Sequence, residues 1–331
     1  MKSLTIATKL ASIALLLSAA TAAHAVTLNV VCGAKNGLTS IGAALKVLHG
    51  PLASLPNTIN VSGICRENIF IQGFDRLTLN GLSGAQIVDA SNQTADTIII
   101  TQSQNVVVQG VSVHGGYDAI DIYGNAAIRL VNISSQGALY DGVGVYRNAS
   151  VVIVNSTLQN NGYAGVLVVG GDVTVIGSAL QYNFEGIFVD NEARAYARVT
   201  DPFYDGVAIS NPAVIAYNQD FGVFVQRGGF QCAACSISDN GSGGLFAEFG
   251  ATVKLTSYSS ATLASAPPTT VSSNGPNGGV VVGVLSSASF PQAKVAGNEG
   301  TYQITCGTPT SVTRGAAVAA GGPANTNCTD Y

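Results

Sequence analysis

The chain has 331 residues, only 10% of them charged, and a formal net charge of −4. Such a balance argues against nucleic acid as a partner, because phosphates call for basic patches, and against electrostatic membrane binding. A hydrophobic share of 47% is too high for a disordered chain, and the length suffices for one or two cored domains.

Residues 1–25 read as a signal peptide. Lys2 and Lys9 give a positive start, Leu10 to Ala20 form a short apolar run, and Ala23-His24-Ala25 is a small-residue cleavage site. That run is too short to span a membrane, and no later stretch is long and apolar enough to do so. The expected product starts at Val26 and is secreted or periplasmic, exported by a bacterial cell. The rest reads as a single domain over 26–331.

Within the first part of that domain, about 26–54, Ile41, Ala44, Leu45 and Leu48 follow Ser40 at helical spacing, which predicts an N-terminal capping helix. Coils follow over about 55–305. A pattern G-V-x-V recurs as "AIDI" from Ala119, "GVGV" from Gly142, "GVLV" from Gly165 and "GIFV" from Gly186. It returns at Gly222, Gly244 and Gly279, with spacings of 23, 23, 21, 36, 22 and 35 residues. A second pattern keeps the same period: Val106-x-Val108, Ile128-x-Leu130, Val151-x-Ile153 and Val173-x-Val175. Two residues after each stands Gly110, Asn132, Asn155 or Gly177, residue types that accept a left-handed backbone at low cost. A third short strand then follows. Alternation of this kind puts one face in and one face out, which a helix of period 3.6 cannot do. Three short strands in about 22 residues cannot bury their own inner face, so the units must stack into an all-β solenoid with parallel sheets.

The two long spacings predict loops at 191–205 and at 257–270. The tail, 306–331, reads as irregular. Six cysteines in an exported chain suggest disulfides. Proximity favours Cys32–Cys65, Cys232–Cys235 and Cys306–Cys328 among fifteen possible pairings. In "CAAC" the surroundings read as strand, so a local disulfide or two buried thiols is expected there rather than a redox motif.

With these repeats the chain resembles the right-handed parallel β-helix superfamily, the pectin-lyase-like proteins, over roughly residues 55–305. Asn132 and Asn155 match that family's asparagine at a tight turn. The resemblance implies a right-handed parallel β-helix solenoid and a carbohydrate-directed outer face. In polygalacturonase-type members one coil carries N-T-D and the next D-D. Asp118 in "YDAID" matches the first aspartate and Asp141 the second residue of the pair, with Tyr140 at its partner's place. Ala164 stands at the family's histidine position, and Arg198 stands alone where R-x-K is expected.

On the G-V-x-V strands the residues between the inward apolar pairs point outward: Asp121, Gly144, Leu167, Phe188, Phe224 and Phe246. Asp118, Asp121 and Asp141 are the candidate catalytic carboxylates, since close like charges raise one pKa as a general acid requires. Tyr117, Tyr123, Tyr140, Tyr146, Glu185, Phe188, Arg198 and Phe224 are the candidate substrate-binding residues, because aromatic faces stack on sugar rings. Aspartates also favour turns by bonding to backbone, which is the plainer reading of Asp118 and Asp141. A lyase-type alternative would place Ca2+ on Asp118, Asp121, Asp141 and Glu185, with Arg129, Arg147, Arg194 or Arg198 as base. The expected partner is an acidic polysaccharide or a cell-surface glycan that the outer face binds, with cleavage, by a lyase or a glycoside hydrolase mechanism, left open. The rival is a non-enzymatic adhesion or structural module.

Overall fold

In the computed structural model, the described residues are 25–199, 211–256, 268–307 and 311–330. The signal peptide except for Ala25, the end of the 191–205 loop and residues 257–267 lie outside them.

A right-handed parallel β-helix fills the described chain. Each coil adds one strand to each of three sheets, as in Ala127–Val131, Ser134–Gln136 and Val143–Tyr146. Among the described residues the first sheet has twelve strands, from Thr27–Val31 to Val312–Arg314, and the second and third sheets have ten each. Ile120, Val143, Val166, Ile187, Val223 and Leu245 pair in one continuous register down the third sheet, and all six are fully buried. Burying each such side chain contributes about 1.5–3 kcal/mol, and stacking is the only way this short strand can bury one.

The capping helix is Ile41–Leu48, and Ile41, Ala44, Leu45 and Leu48 are its buried residues. The Ser40 hydroxyl accepts from the Ala43 N–H at 3.1 Å. Glu67, from the neighbouring coil, accepts from the Ile41 and Gly42 N–H groups at 2.6 and 3.0 Å. An anionic side chain on these orphan donors also suits the helix dipole. Three disulfides join Cys32 to Cys65, Cys232 to Cys235 and Cys306 to Cys328. The middle one is buried and spans the turn at Ala234, whose φ is 59°.

Gly110, Asn132, Asn155 and Gly177 all adopt left-handed backbone, with φ of 67°, 51°, 47° and 55°. The asparagines that stack are others. Asn161, Asn183, Asn218, Asn240, Asn274 and Asn298 form a buried amide ladder at the corner between the second and third sheets. The side chain of Gln303 closes it. The next coil's carbonyl and this ladder together explain the glycine of G-V-x-V. A Cβ at Gly165 would come within 2.8 Å of Gly186 O and 2.9 Å of Asn183 Nδ2, and one at Gly186 would run into Gly222 O and come within 2.9 Å of Asn218 Nδ2. Ala119 escapes the rule because Ala138 holds the ladder position in the next coil, where its N–H donates to Asn161.

Two expectations are corrected. The tail is not irregular throughout: Val312–Arg314 is the last first-sheet strand, paired with Ser287–Ser289, and Ala316–Ala319 is a short helix. The stretch 191–205 is not a loop throughout: Arg194–Arg198 is a first-sheet strand, paired with Asp172–Ile176 and Gly229–Ala233. Its inward residues are Ala195 and Ala197, fully buried but too small to give the V-x-V signal. The connection to the next second-sheet strand, Ala213–Ala216, follows this strand rather than replacing it.

Asn155→Val is expected to lower stability by about 1–2 kcal/mol, the cost of left-handed backbone for a branched side chain. Asn218→Ala should cost more, because each buried amide it strands is worth about 1–3 kcal/mol. Urea unfolding of both variants measures this; equal losses, or none at Asn155, would remove these explanations.

Candidate functional site

The acidic residues before the third-sheet strands form a column held by backbone. The Asp118 N–H donates to Asp96 Oδ1 at 2.9 Å, the Asp141 N–H to Asp118 Oδ1 at 2.9 Å, and the Ala164 N–H to Asp141 Oδ1 at 3.0 Å. Ala164 ends the run, and Glu185 sits beside it one coil on. Asp118, Asp141 and Glu185 are only 5%, 0% and 2% exposed, so none of them reaches bulk solvent. The Tyr146 hydroxyl donates a long hydrogen bond, 3.4 Å, to Asp141 Oδ2.

Asp121 behaves differently. It points outward from Ile120–Tyr123, opposite Gly144 in the next coil. The Tyr146 ring lies over Gly144, where a Cβ would come within 2.5 Å of it. Asp121 Oδ1 is shielded from water and has no hydrogen-bond partner, as is Glu185 Oε2.

Burial is the main reason these carboxyls hold their protons. It pushes Asp118 up to about 6, against the hydrogen bond from Asp141 and with help from the Asp96 charge. It pushes Asp121 up to about 7, reinforced by Asp96 and Asp118. Asp141 is raised well above the usual carboxylate range by burial and by Asp118. Burial and Asp220 push Glu185 up to about 8. Burial also raises Tyr140, Tyr146 and Tyr163, with the neighbouring carboxylates adding to it.

A cleft of about 950 Å³ opens at the corner between the third and first sheets. Asp121, Tyr123, Tyr146 and Arg147 line one side, Asp172, Glu192 and Arg194 the other, and Gly170 and Gly171 lie between them. Neither Arg147 nor Arg194 is taken up in an ion pair among the described residues. Asp118, Asp141 and Glu185 do not line this cleft. Arg198 is on the first sheet, its guanidinium 4.5 Å from the centre of the Tyr196 ring, and takes no part.

The aromatic candidates are brought together, but with one another. Phe188 stacks on Phe224 at 5.0 Å and Phe224 on Phe246 at 5.4 Å, nearly parallel. Tyr117, Tyr140, Tyr163 and Phe184 form a second stack at 4.6–6.0 Å. Rings that spend their faces on each other offer mainly edges to a sugar, which changes what Tyr117, Tyr140, Phe188 and Phe224 can do. Sequence reading passed over Asp96, Asp172, Glu192 and the glycine floor. Asp172 and Arg194 occupy one register position on successive first-sheet strands, a signal hidden by the missed strand.

Ca2+ needs six to eight oxygens converging on one point. Among the described residues, the one group of three whose ligand atoms lie within 4.8 Å of one another is Cys32, Cys65 and Glu67, and its sulfurs are bonded together. Asp118, Asp121, Asp141 and Glu185 do not fit a calcium site.

The folded state binds these protons more tightly than the unfolded chain. Their stabilisation is therefore complete below the ordinary carboxyl range and is lost as pH rises through the values near 6, 7 and 8 of Asp118, Asp121 and Glu185. The thermal midpoint should be higher near pH 5 than near pH 8.5, and Glu185→Gln should flatten the slope. A midpoint that climbs towards alkaline pH would contradict the buried-proton account.

A family model described as "Right handed beta helix region" matches residues 57–211. No curated protein sequence matches the chain. Among solved structures, pectate lyase Pel9A is similar at 15% identity, over 93% of this chain and 80% of its own, with a TM-score of 0.48. The catalytic domain of a GH87 α-1,3-glucanase shares 14% identity over 92% and 67%, with a TM-score of 0.32. PfbA, a surface adhesin of Streptococcus pneumoniae, shares 13% over 80% and 86%, with a TM-score of 0.30. The coil geometry and the family match over residues 57–211 together show a right-handed parallel β-helix.

Proposed function

We propose that this protein is exported and binds an acidic polysaccharide in the cleft at the edge of the third sheet. One observation carries this reading: the cleft gathers Asp121 with its unpartnered Oδ1, two tyrosines and two guanidinium groups that form no ion pair among the described residues. Guanidinium groups pair with carboxylates in two-pronged fashion, while tyrosine and asparagine side chains suit sugar hydroxyls. The N-terminal apolar segment and the three disulfides support export.

Where the bound chain is hydrolysed, Asp121 donates a proton to the leaving glycosidic oxygen as its C–O bond breaks, water supplies the hydroxyl to the sugar carbon, and the proton that water gives up restores Asp121. A carboxyl pushed up to about 7 keeps its proton where an ordinary aspartate has lost it. Asp118 is a positioning residue in this scheme: its charge helps raise Asp121, and its own oxygen is committed to the Asp141 N–H.

A second reading, binding without turnover by a surface module, has its own support. Asp118 and Asp141 are spent on backbone, and neither lines the cleft beside Asp121.

Polygalacturonate, alginate and neutral dextran separate these readings. Calorimetry should detect the acidic polymers and not dextran; binding of none of them sinks the proposal. Reducing-end and ultraviolet assays report cleavage. If turnover is present, Asp121→Asn should lower it by about 100-fold or more and leave the polymer bound. Turnover should also fall as pH rises through about 7. Activity that survives Asp121→Asn would assign the proton to another group.

A further inference from the structure

A second cleft, about 470 Å³, lies on the outer face of the first sheet and shares Glu192 and Arg194 with the first. The two meet at that pair of residues. Their charges differ in kind. The first cleft holds two cationic side chains against three acidic ones. The second holds Arg194, Arg227 and Lys254 against Glu192 alone.

The floor of the second cleft is a missing side chain. In the first sheet Arg194, Gly229 and Thr252 occupy one outward register position on successive coils, and Tyr196, Gln231 and Lys254 the next. Gly229 leaves a notch between its two neighbours. Packing does not force glycine there: a Cβ would meet nothing nearer than Arg194 Cγ at 3.8 Å, an ordinary contact. Arg227 is fixed as a wall by two hydrogen bonds to Asp190, at 3.1 and 3.0 Å. Arg194 and Lys254 are exposed and form no ion pair among the described residues.

We propose that this second cleft is an anion-reading extension of the first, taking carboxylate- or sulfate-bearing sugar units of the same chain. The proposal rests on the reading of the first cleft as a glycan site. From the strand of Asp121 to Gly243–Glu248, which the strand of Lys254 directly follows, the stack advances five times, about 24 Å at roughly 4.8 Å per step, so a linear polyanion can occupy both clefts at once. The half rich in carboxyls holds the chain beside Asp121, and the cationic half selects for its charge.

Three-unit and six-unit oligogalacturonides test this by calorimetry, with chondroitin sulfate oligosaccharides of matched length as the sulfated arm. The six-unit chain should bind about tenfold more tightly than the three-unit chain, the increment of one further charge-assisted contact. Lys254→Gln and Gly229→Leu should each erase that difference, and Lys254→Gln should weaken the salt dependence. Circular dichroism melts check that Gly229→Leu folds; Lys254 is exposed, so its variant decides the matter if Gly229→Leu does not. A length preference that both variants keep overturns the extension and leaves the first cleft standing. Binding of no anionic chain at either length overturns both. A preference for the sulfated or the carboxylated series identifies which anion the cleft reads.

Discussion

Parallel register is the constraint on which this molecule depends. Every coil hydrogen-bonds to the next in the same phase, so each side chain has its own counterpart as its nearest neighbour, about 4.8 Å away. Like must therefore pack against like. Branched apolar residues tolerate this without limit, which is why Ile120, Val143, Val166 and Ile187 can follow one another through the core. A primary amide tolerates it as well, because it carries both donor and acceptor, and the run from Asn161 to Asn298 propagates through one side-chain bond per step. Aromatic rings tolerate it by stacking.

Carboxylates do not. Ionised, a carboxylate only accepts, and its counterpart one coil away repels it. The aspartate column solves half the problem by taking its donors from backbone: each Oδ1 receives the N–H of the next coil. The column ends at Ala164, and its members hold protons that ordinary aspartates would release. The plain reading of Asp118 and Asp141 as residues that bond to backbone is thus correct for one oxygen of each. Asp121 differs from them: its outward position and unpartnered Oδ1 follow from the same register.

That register was legible because it is written in identity. Ala119, Gly142, Gly165 and Gly186 align in sequence as they align in space, and the outward set from Asp121 to Phe246 follows from alternation alone. The ladder asparagines were harder to see, because the number of residues between each and its G-V-x-V strand varies from coil to coil. Asn161 stands four residues before Gly165, Asn183 only three before Gly186. The strand Arg194–Arg198 was invisible for a different reason. Periodicity is recognised by apolar bulk, and at Ala195 and Ala197 the core needs almost none. Losing that strand left Arg194 as one of four possible bases, with nothing in the sequence to place it in the cleft that it lines.

A cleft in a solenoid is a local absence rather than a motif. It opens where a column that elsewhere carries side chains is interrupted by glycine, as at Gly170 and Gly171, and where the flanking turns still project arginine and glutamate. No single residue type announces such a place. The repeat nevertheless limits what can fill it. Recognition groups recur at multiples of one coil height along a straight axis, so an extended repeating chain meets them in phase, whereas a compact ligand would engage only one or two coils. For the polymer proposed as ligand, the stacking rule that builds the core would also space the contacts on the surface.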